Sequence, residues 1–174
     1  MKNLLFSLIL IFNLFIISCD LQYGICDEDN IKIGSIYNYD FEGSENIPAF
    51  ENIDKAMTWV RWFLENKRDI DVQDVEDYWQ TPEESYKLKT GDCEDHAILY
   101  MFILKRQFNL DSYLVIVKQL MGIHAIVYIP SIDKYYDPMN DSIYQNNEIA
   151  KKQTLEQYIY SQALWLAVNY HTSI

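Results

Sequence analysis

Apolar residues fall into distinct patterns along the chain, and each pattern predicts a different element. Residues 4–17 form a largely apolar run interrupted by Asn13, too short to span a bilayer comfortably but of signal-peptide length. From residue 20 to about 47 no period is sustained, which predicts a linker with one strand at residues 31–39. A helical stripe follows at Ile53, Met57, Val60 and Leu64, with Asn52 placed as its N-cap and Trp59 and Trp62 as flanking packing residues. Thr81 and Pro82 open a short helix whose first turn carries Glu83 and Glu84. A further helix should begin beside Cys93 and run to about residue 108, and its stretch 97–104 is apolar on every side, the mark of a helix buried in the domain centre. Asn109 is placed to end it, because Asn tolerates the left-handed C-cap conformation.

Strand patterns follow at residues 113–118, 123–129 and 134–137, joined by turns at Met121-Gly122 and Pro130-Ser131 short enough for an antiparallel meander. A closing amphipathic helix is expected from the capping-box pattern at Thr154 to Gln157, with Leu155, Tyr158, Ile159, Ala163 and Leu166 inward. Helices, then strands, then a helix make an α+β domain.

The run at residues 4–17 ends in Ile16-Ile17-Ser18-Cys19, which resembles a lipobox. Residues 1–18 are accordingly expected to be a lipoprotein signal peptide, and residues 19–47 a lipidated Cys19 with its tether. Residues 48–174 are then the domain. An uncleaved N-terminal anchor is the alternative, and either way the domain is expected at the bacterial cell envelope, periplasmic or surface-facing. Of the 174 residues, 14 are Lys or Arg and 26 are Asp or Glu, a net charge of −12 that excludes nucleic-acid partners and docking on anionic lipid by charge alone. Acyl chains must then hold the protein on its membrane. Apolar residues make up 49%, enough for a core and against bulk disorder. The 3 cysteines include no CxxC pair, which excludes a disulfide scaffold and a zinc ribbon.

Candidate chemistry concentrates at Gly91-Asp92-Cys93-Glu94-Asp95. A thiol in a first helical turn meets unpaired N–H groups and the positive dipole end, which favour the thiolate nucleophile. The neighbouring carboxylates oppose this, so a cationic partner is needed. His96 shares the helix with Cys93, and is read as a solvent-facing or supporting residue. His124 lies on a strand that can cross the helix mouth, and Asp137 ends the next strand. Nucleophile, base and orienter on three elements are the arrangement of a triad. Other arrangements stay open: a buried structural thiol, a disulfide between Cys26 and Cys93, or a zinc site from Cys93, His96 and His124.

The stretches Tyr78-Trp79-Gln80-Thr81-Pro82-Glu83-Glu84, Gly91 to Ala97, His124-Ala125 and Tyr136-Asp137-Pro138 resemble the transglutaminase-like core. The likeness to bacterial transglutaminase-like cysteine peptidases is strongest around Asp92-Cys93-Glu94-Asp95. The resemblance covers about residues 50 to 140 and implies a papain-like fold, with a helix-borne Cys packed against a small antiparallel sheet. It implies Cys93 as nucleophile, His124 as general base and acid, Asp137 as orienter, and Trp79 or Gln80 near the oxyanion site. It requires no cofactor, although some periplasmic relatives bind calcium through carboxylates matching Asp92, Glu94 and Asp95; helix capping by these acids is the favoured reading. The chain departs from the pattern where Ile126 follows Ala125 in place of an aromatic residue, and where Asn109-Leu110 replaces Gly-Ile. The expected protein is a monomeric, membrane-anchored thiol hydrolase, in first place a cysteine peptidase acting on a protein or peptide of the cell envelope. A catalytically silent scaffold lipoprotein and an amide transferase are the alternatives.

Overall fold

A computed structural model describes residues 39–73, 78–119, 122–145 and 154–169. The apolar run, the lipobox with Cys19, Cys26, residues 31–38 of the expected strand and Met121 lie outside the described residues.

After a 3₁₀ turn at Ser44–Asn46, helix α1 spans Ile53–Phe63. Asn52 caps it, its side-chain oxygen accepting the Lys55 N–H at 3.0 Å. Strand β1 (Glu65–Asn66), helix α2 (Asp69–Val72), helix α3 (Pro82–Leu88) and strand β2 (Thr90–Gly91) lead to the central helix α4 (Cys93–Phe108). Thr81 and Glu84 form a capping box at the start of α3. Every residue of α4 from Glu94 to Leu104 is buried, as a segment apolar on all sides requires. Asn109 ends the helix with φ of +50°, and the Leu110 N–H closes back onto the Leu104 carbonyl at 3.2 Å.

Strands β3 (Tyr113–Gln119), β4 (Gly122–Ile129), β5 (Lys134–Asp137), β6 (Ser142–Gln145) and β7 (Thr154–Ile159) form an antiparallel sheet in the order β6-β5-β4-β3-β7. Helix α5 (Tyr160–Asn169) closes the described chain. Leu114 pairs with Val127, Ile116 with Ala125, and Val127 with Tyr136, so these side chains share a face. That face meets α4, where the Tyr100 and Tyr136 rings lie 5.9 Å apart. On the other face Tyr113, Tyr128, Tyr135 and Tyr144 form a cross-strand row beside buried Val115, Val117 and Ile126. The architecture is α+β with a helix-borne Cys93 and a small antiparallel sheet, as expected.

The structure differs from the sequence-based expectation at several places. Residues 154–159 are a strand rather than the first turns of a helix. They pair along β3, whose edge would otherwise expose a row of N–H and C=O groups. The helix begins only at Tyr160; Ala163, Leu164 and Ala167 are buried, while Ile159 is 36% exposed. Trp62 is 77% exposed and touches only the Arg61 guanidinium among its described ring contacts, 5.4 Å from its centroid, so it is not a packing residue. Trp59 is one, stacked on Phe63 at 4.3 Å. Residues before 48 also pack on the core: the Tyr39 and Phe41 rings lie against Phe102 of α4, and Ile47 is buried. No helix among the described residues is long and apolar enough to cross a membrane.

Candidate active site at the mouth of the central helix

The short parallel pair β1–β2 sets up the helix mouth by fixing Gly91, whose carbonyl accepts the Lys67 N–H at 3.2 Å. A side chain at Gly91 is impossible without movement, since a Cβ there would lie 2.6 Å from Asp95 Cβ. Asp92 is the N-cap residue of α4. Asp95, fully buried, accepts the Asp92 N–H at 3.2 Å on one oxygen and the Gln80 N–H at 2.7 Å on the other. Burial first, and then Asp92, push the Asp95 carboxyl well above the usual carboxylate range.

Cys93 is the first residue of α4 and a half-buried free thiol. Its sulfur donates to Glu94 Oε2 at 3.1 Å, and the Ala125 N–H of β4 favours its thiolate form. Burial and the Glu94 and Asp92 carboxylates push the thiol far above its ordinary value, and the Ala125 N–H acts in the opposite direction. Glu94 is pushed up in turn by burial and by Asp92 and Asp95.

Across the mouth, His124 Nε2 lies 2.8 Å from Asp137 Oδ2, and both side chains are buried. Asn140 adds its backbone N–H to Asp137 Oδ1 at 3.1 Å and its side-chain amide to Oδ2 at 2.9 Å. Burial alone would raise the Asp137 carboxyl; the His124 and Asn140 hydrogen bonds outweigh it and hold the group below its ordinary value. Because Nε2 faces Asp137, Nδ1 is the His124 nitrogen left for proton transfer. Ala125, whose N–H favours the Cys93 thiolate, is the residue after His124 on β4.

His96 is fully buried, so it is not solvent-facing. Its Nδ1 lies 2.6 Å from the Asp92 carbonyl, and burial, with Arg61 nearby, lowers its basicity. A zinc site from Cys93, His96 and His124 is not assembled: the metal-type clusters among the described residues are Asp92-Cys93-Glu94 and Asp69-Asp92-Asp95, without a histidine. Asp69, Asp92 and Asp95 each bring one oxygen within 4.8 Å of the others, hard donors that suit a cation such as calcium. Glu94, included in the expected calcium set, instead faces Cys93. The hydrogen bonds already on Asp95 serve the helix cap.

Trp79 and Gln80 are fully buried. The Trp79 ring stands edge-on to Tyr158 at 5.6 Å, and the Trp79 Nε1 and both Gln80 amide atoms have no hydrogen-bond partner among the described residues. Sequence reasoning missed Asn140, Asp69 and the steric role of Gly91. For Asn140 there was a signal, an Asn three residues after Asp137 in a Pro-containing turn; for Asp69 there was none.

No family model and no curated protein matches the chain. Among solved structures, Legionella pneumophila LapG matches with a TM-score of 0.52 and 17% identity, over 74% of this chain and 84% of that one. An EGTA-treated LapG matches with the same TM-score and identity, over 74% and 82%. A calcium-bound LapG matches at 18% identity over 74% and 84%, with a TM-score of 0.49. The relationship is distant, and what it carries is the fold: the chain resembles the transglutaminase-like fold of LapG.

Proposed function

We propose that this protein is a thiol hydrolase of the transglutaminase-like type, a cysteine peptidase that attacks peptide or side-chain amides through a thioester. The observation that carries the reading is the buried His124–Asp137 pair at 2.8 Å on the sheet, with Cys93 as the first residue of the central helix. In this reading Cys93 passes its thiol proton to His124 Nδ1 while the sulfur adds to the amide carbon. The C–N bond then breaks, and the departing amine takes the proton from His124. Water, deprotonated by His124, adds to the thioester; the C–S bond breaks and Cys93 regains its proton. Asp137 holds the imidazole and stabilises its charged form. Lipidation at Cys19 and a cell-envelope location complete the proposal, with a protein or peptide of the envelope as substrate and no nucleic acid. When bound, a cation held by Asp69, Asp92 and Asp95 would supply positive charge near the helix mouth.

The raised thiol and its hydrogen bond to Glu94 favour a second reading, a catalytically silent binding or scaffold lipoprotein. Iodoacetamide separates the two. The active site should alkylate at Cys93 faster than a reference thiol near neutral pH, and His124→Ala should slow it. A Cys93 no faster than the reference thiol defeats the enzyme reading. Comparing membrane-protein N-termini between wild type and a Cys93→Ala strain then names the target, as a terminus lost in the mutant. An incoming amine in place of water would make the enzyme a transferase, read as a cross-linked product.

A further inference from the structure

Building on the Cys93-His124-Asp137 reading, we propose that Asn140 is a positioning residue, holding the Asp137 carboxylate in the one orientation that aims His124. Strand β5 ends at Asp137, and Pro138 supplies no N–H to the carboxylate that precedes it. Asn140 supplies both donors instead. Its backbone N–H reaches Asp137 Oδ1 at 3.1 Å and the Asp137 carbonyl at 3.2 Å. Its side-chain Nδ2 reaches Asp137 Oδ2 at 2.9 Å, the same oxygen that His124 Nε2 contacts at 2.8 Å. Nδ2 and Nε2 lie 3.4 Å apart; both are donors when Nε2 carries its proton, so the shared acceptor fixes the distance between them.

One residue thereby grips both carboxylate oxygens, and rotation about the Asp137 side chain is blocked. Asn140 is itself exposed, so its amide closes the solvent side of a carboxylate that is fully buried. The turn is pinned from beyond, by Ser142 Oγ on the Asn140 carbonyl at 3.2 Å and by Thr58 Oγ1 of α1 on Asp141 Oδ1 at 2.9 Å. Among the described residues, the titratable groups that face Asp137 are His124 on β4 and His96 on α4, with Asp141 the residue next to Asn140.

The backbone donor survives any substitution, so Asn140→Ala removes only the side-chain bond, and Asn140→Asp replaces that donor with a charge. The test follows iodoacetamide alkylation of the full chain against pH, read by mass spectrometry on the peptide that carries Cys93. Wild type should show a neutral-pH component that His124→Ala abolishes. Asn140→Ala should lower that component roughly tenfold, the effect of one hydrogen bond to a charged group, and leave the alkaline limb of direct thiol ionisation in place. Asn140→Asp should lower it further and move its acid side to higher pH. An unchanged neutral component in Asn140→Ala overturns the proposal. So does a proportional fall of both limbs together with the melting temperature, which would make Asn140 a turn residue only. A neutral component that survives His124→Ala overturns the triad reading, and this inference with it.

Discussion

Asp95 and Asp137 are both completely buried, yet their acidities move in opposite directions. Asp95 accepts two backbone N–H groups at the start of α4, but Asp92 and Asp69 crowd it with like charge and raise its carboxyl. Asp137 accepts a His124 nitrogen and two donors from Asn140, and these hold it low. Burial is common to both; the sign is set by what surrounds the carboxylate. The helix mouth is therefore a region that resists charge, and the β4–β5 edge is one that keeps it. Cys93 begins α4 in the first of these regions, where burial and the Glu94 and Asp92 carboxylates favour its protonated form.

One substitution made in both places gives the largest expected contrast. Asp137→Asn keeps the shape but removes the anion paired with His124, and should lower turnover in the proposed hydrolysis by about 10³-fold or more, the scale seen when a triad carboxylate becomes an amide. Asp95→Asn removes a charge that the mouth already disfavours. It loses the acceptor for one backbone N–H, so stability should fall by about 1 kcal/mol in urea denaturation, with turnover within about tenfold of wild type. Equal losses of turnover would show that the two carboxylates are not distinct in role.

The helix mouth is also the tighter of the two regions. A Cβ at Gly91 meets Asp95 Cβ at 2.6 Å, and that atom is close to the backbone rather than at the end of a flexible chain. Gly91→Ala should cost about 1–3 kcal/mol by overpacking, measured as a shift of the urea midpoint at unchanged slope. Asp95→Asn should not relieve this cost, because the clash includes Cβ. If it does, the crowding is electrostatic rather than steric.

How much of this was legible in the sequence depends on whether the determinant was local. Asn52 before a stripe, Thr81-Pro82, the apolar band 97–104 and Asn109 are local signals, and helices α1, α3 and α4 formed around them. Residues 154–159 carry a capping-box pattern, yet they form a strand on the edge of β3, and no window of sequence contains that edge. The same holds in the site. His124 and Asp137 are placed by adjacent strands of a meander, a short-range topology readable from three strand patterns. Asp69, brought to Asp92 and Asp95 by the chain's return to the helix mouth, has no local sign. Trp62 showed the limit of hydrophobicity as a guide, since two residues, about 200° of helical rotation, separate it from buried Val60 of α1.

The smallest expected effect is the most direct reading of the two carboxylate regions together. Glu94 and Asp95 have raised acidities in the folded protein, so the folded state holds protons at pH values where the unfolded chain has released them. Stability should then rise as pH falls through the raised folded values of these two groups toward the ordinary carboxylate range near 4–5. Below that range the sign reverses, because the lowered Asp137 binds its proton more readily in the unfolded chain, and stability is lost as pH falls through its folded value. Melting in chelator-containing buffer should therefore give a maximum on the acid side of neutrality, with a change on the order of 5 °C across the alkaline arm. A cation at Asp69, Asp92 and Asp95 would do there what protons do, and millimolar calcium would flatten that arm. The hydrogen bonds already held by Asp95 favour the other outcome, an alkaline arm that calcium leaves in place, with the acids serving as the cap of α4. An arm sloping the opposite way without calcium would mean that the mouth of α4 tolerates its charges, and the contrast with Asp137 would be lost.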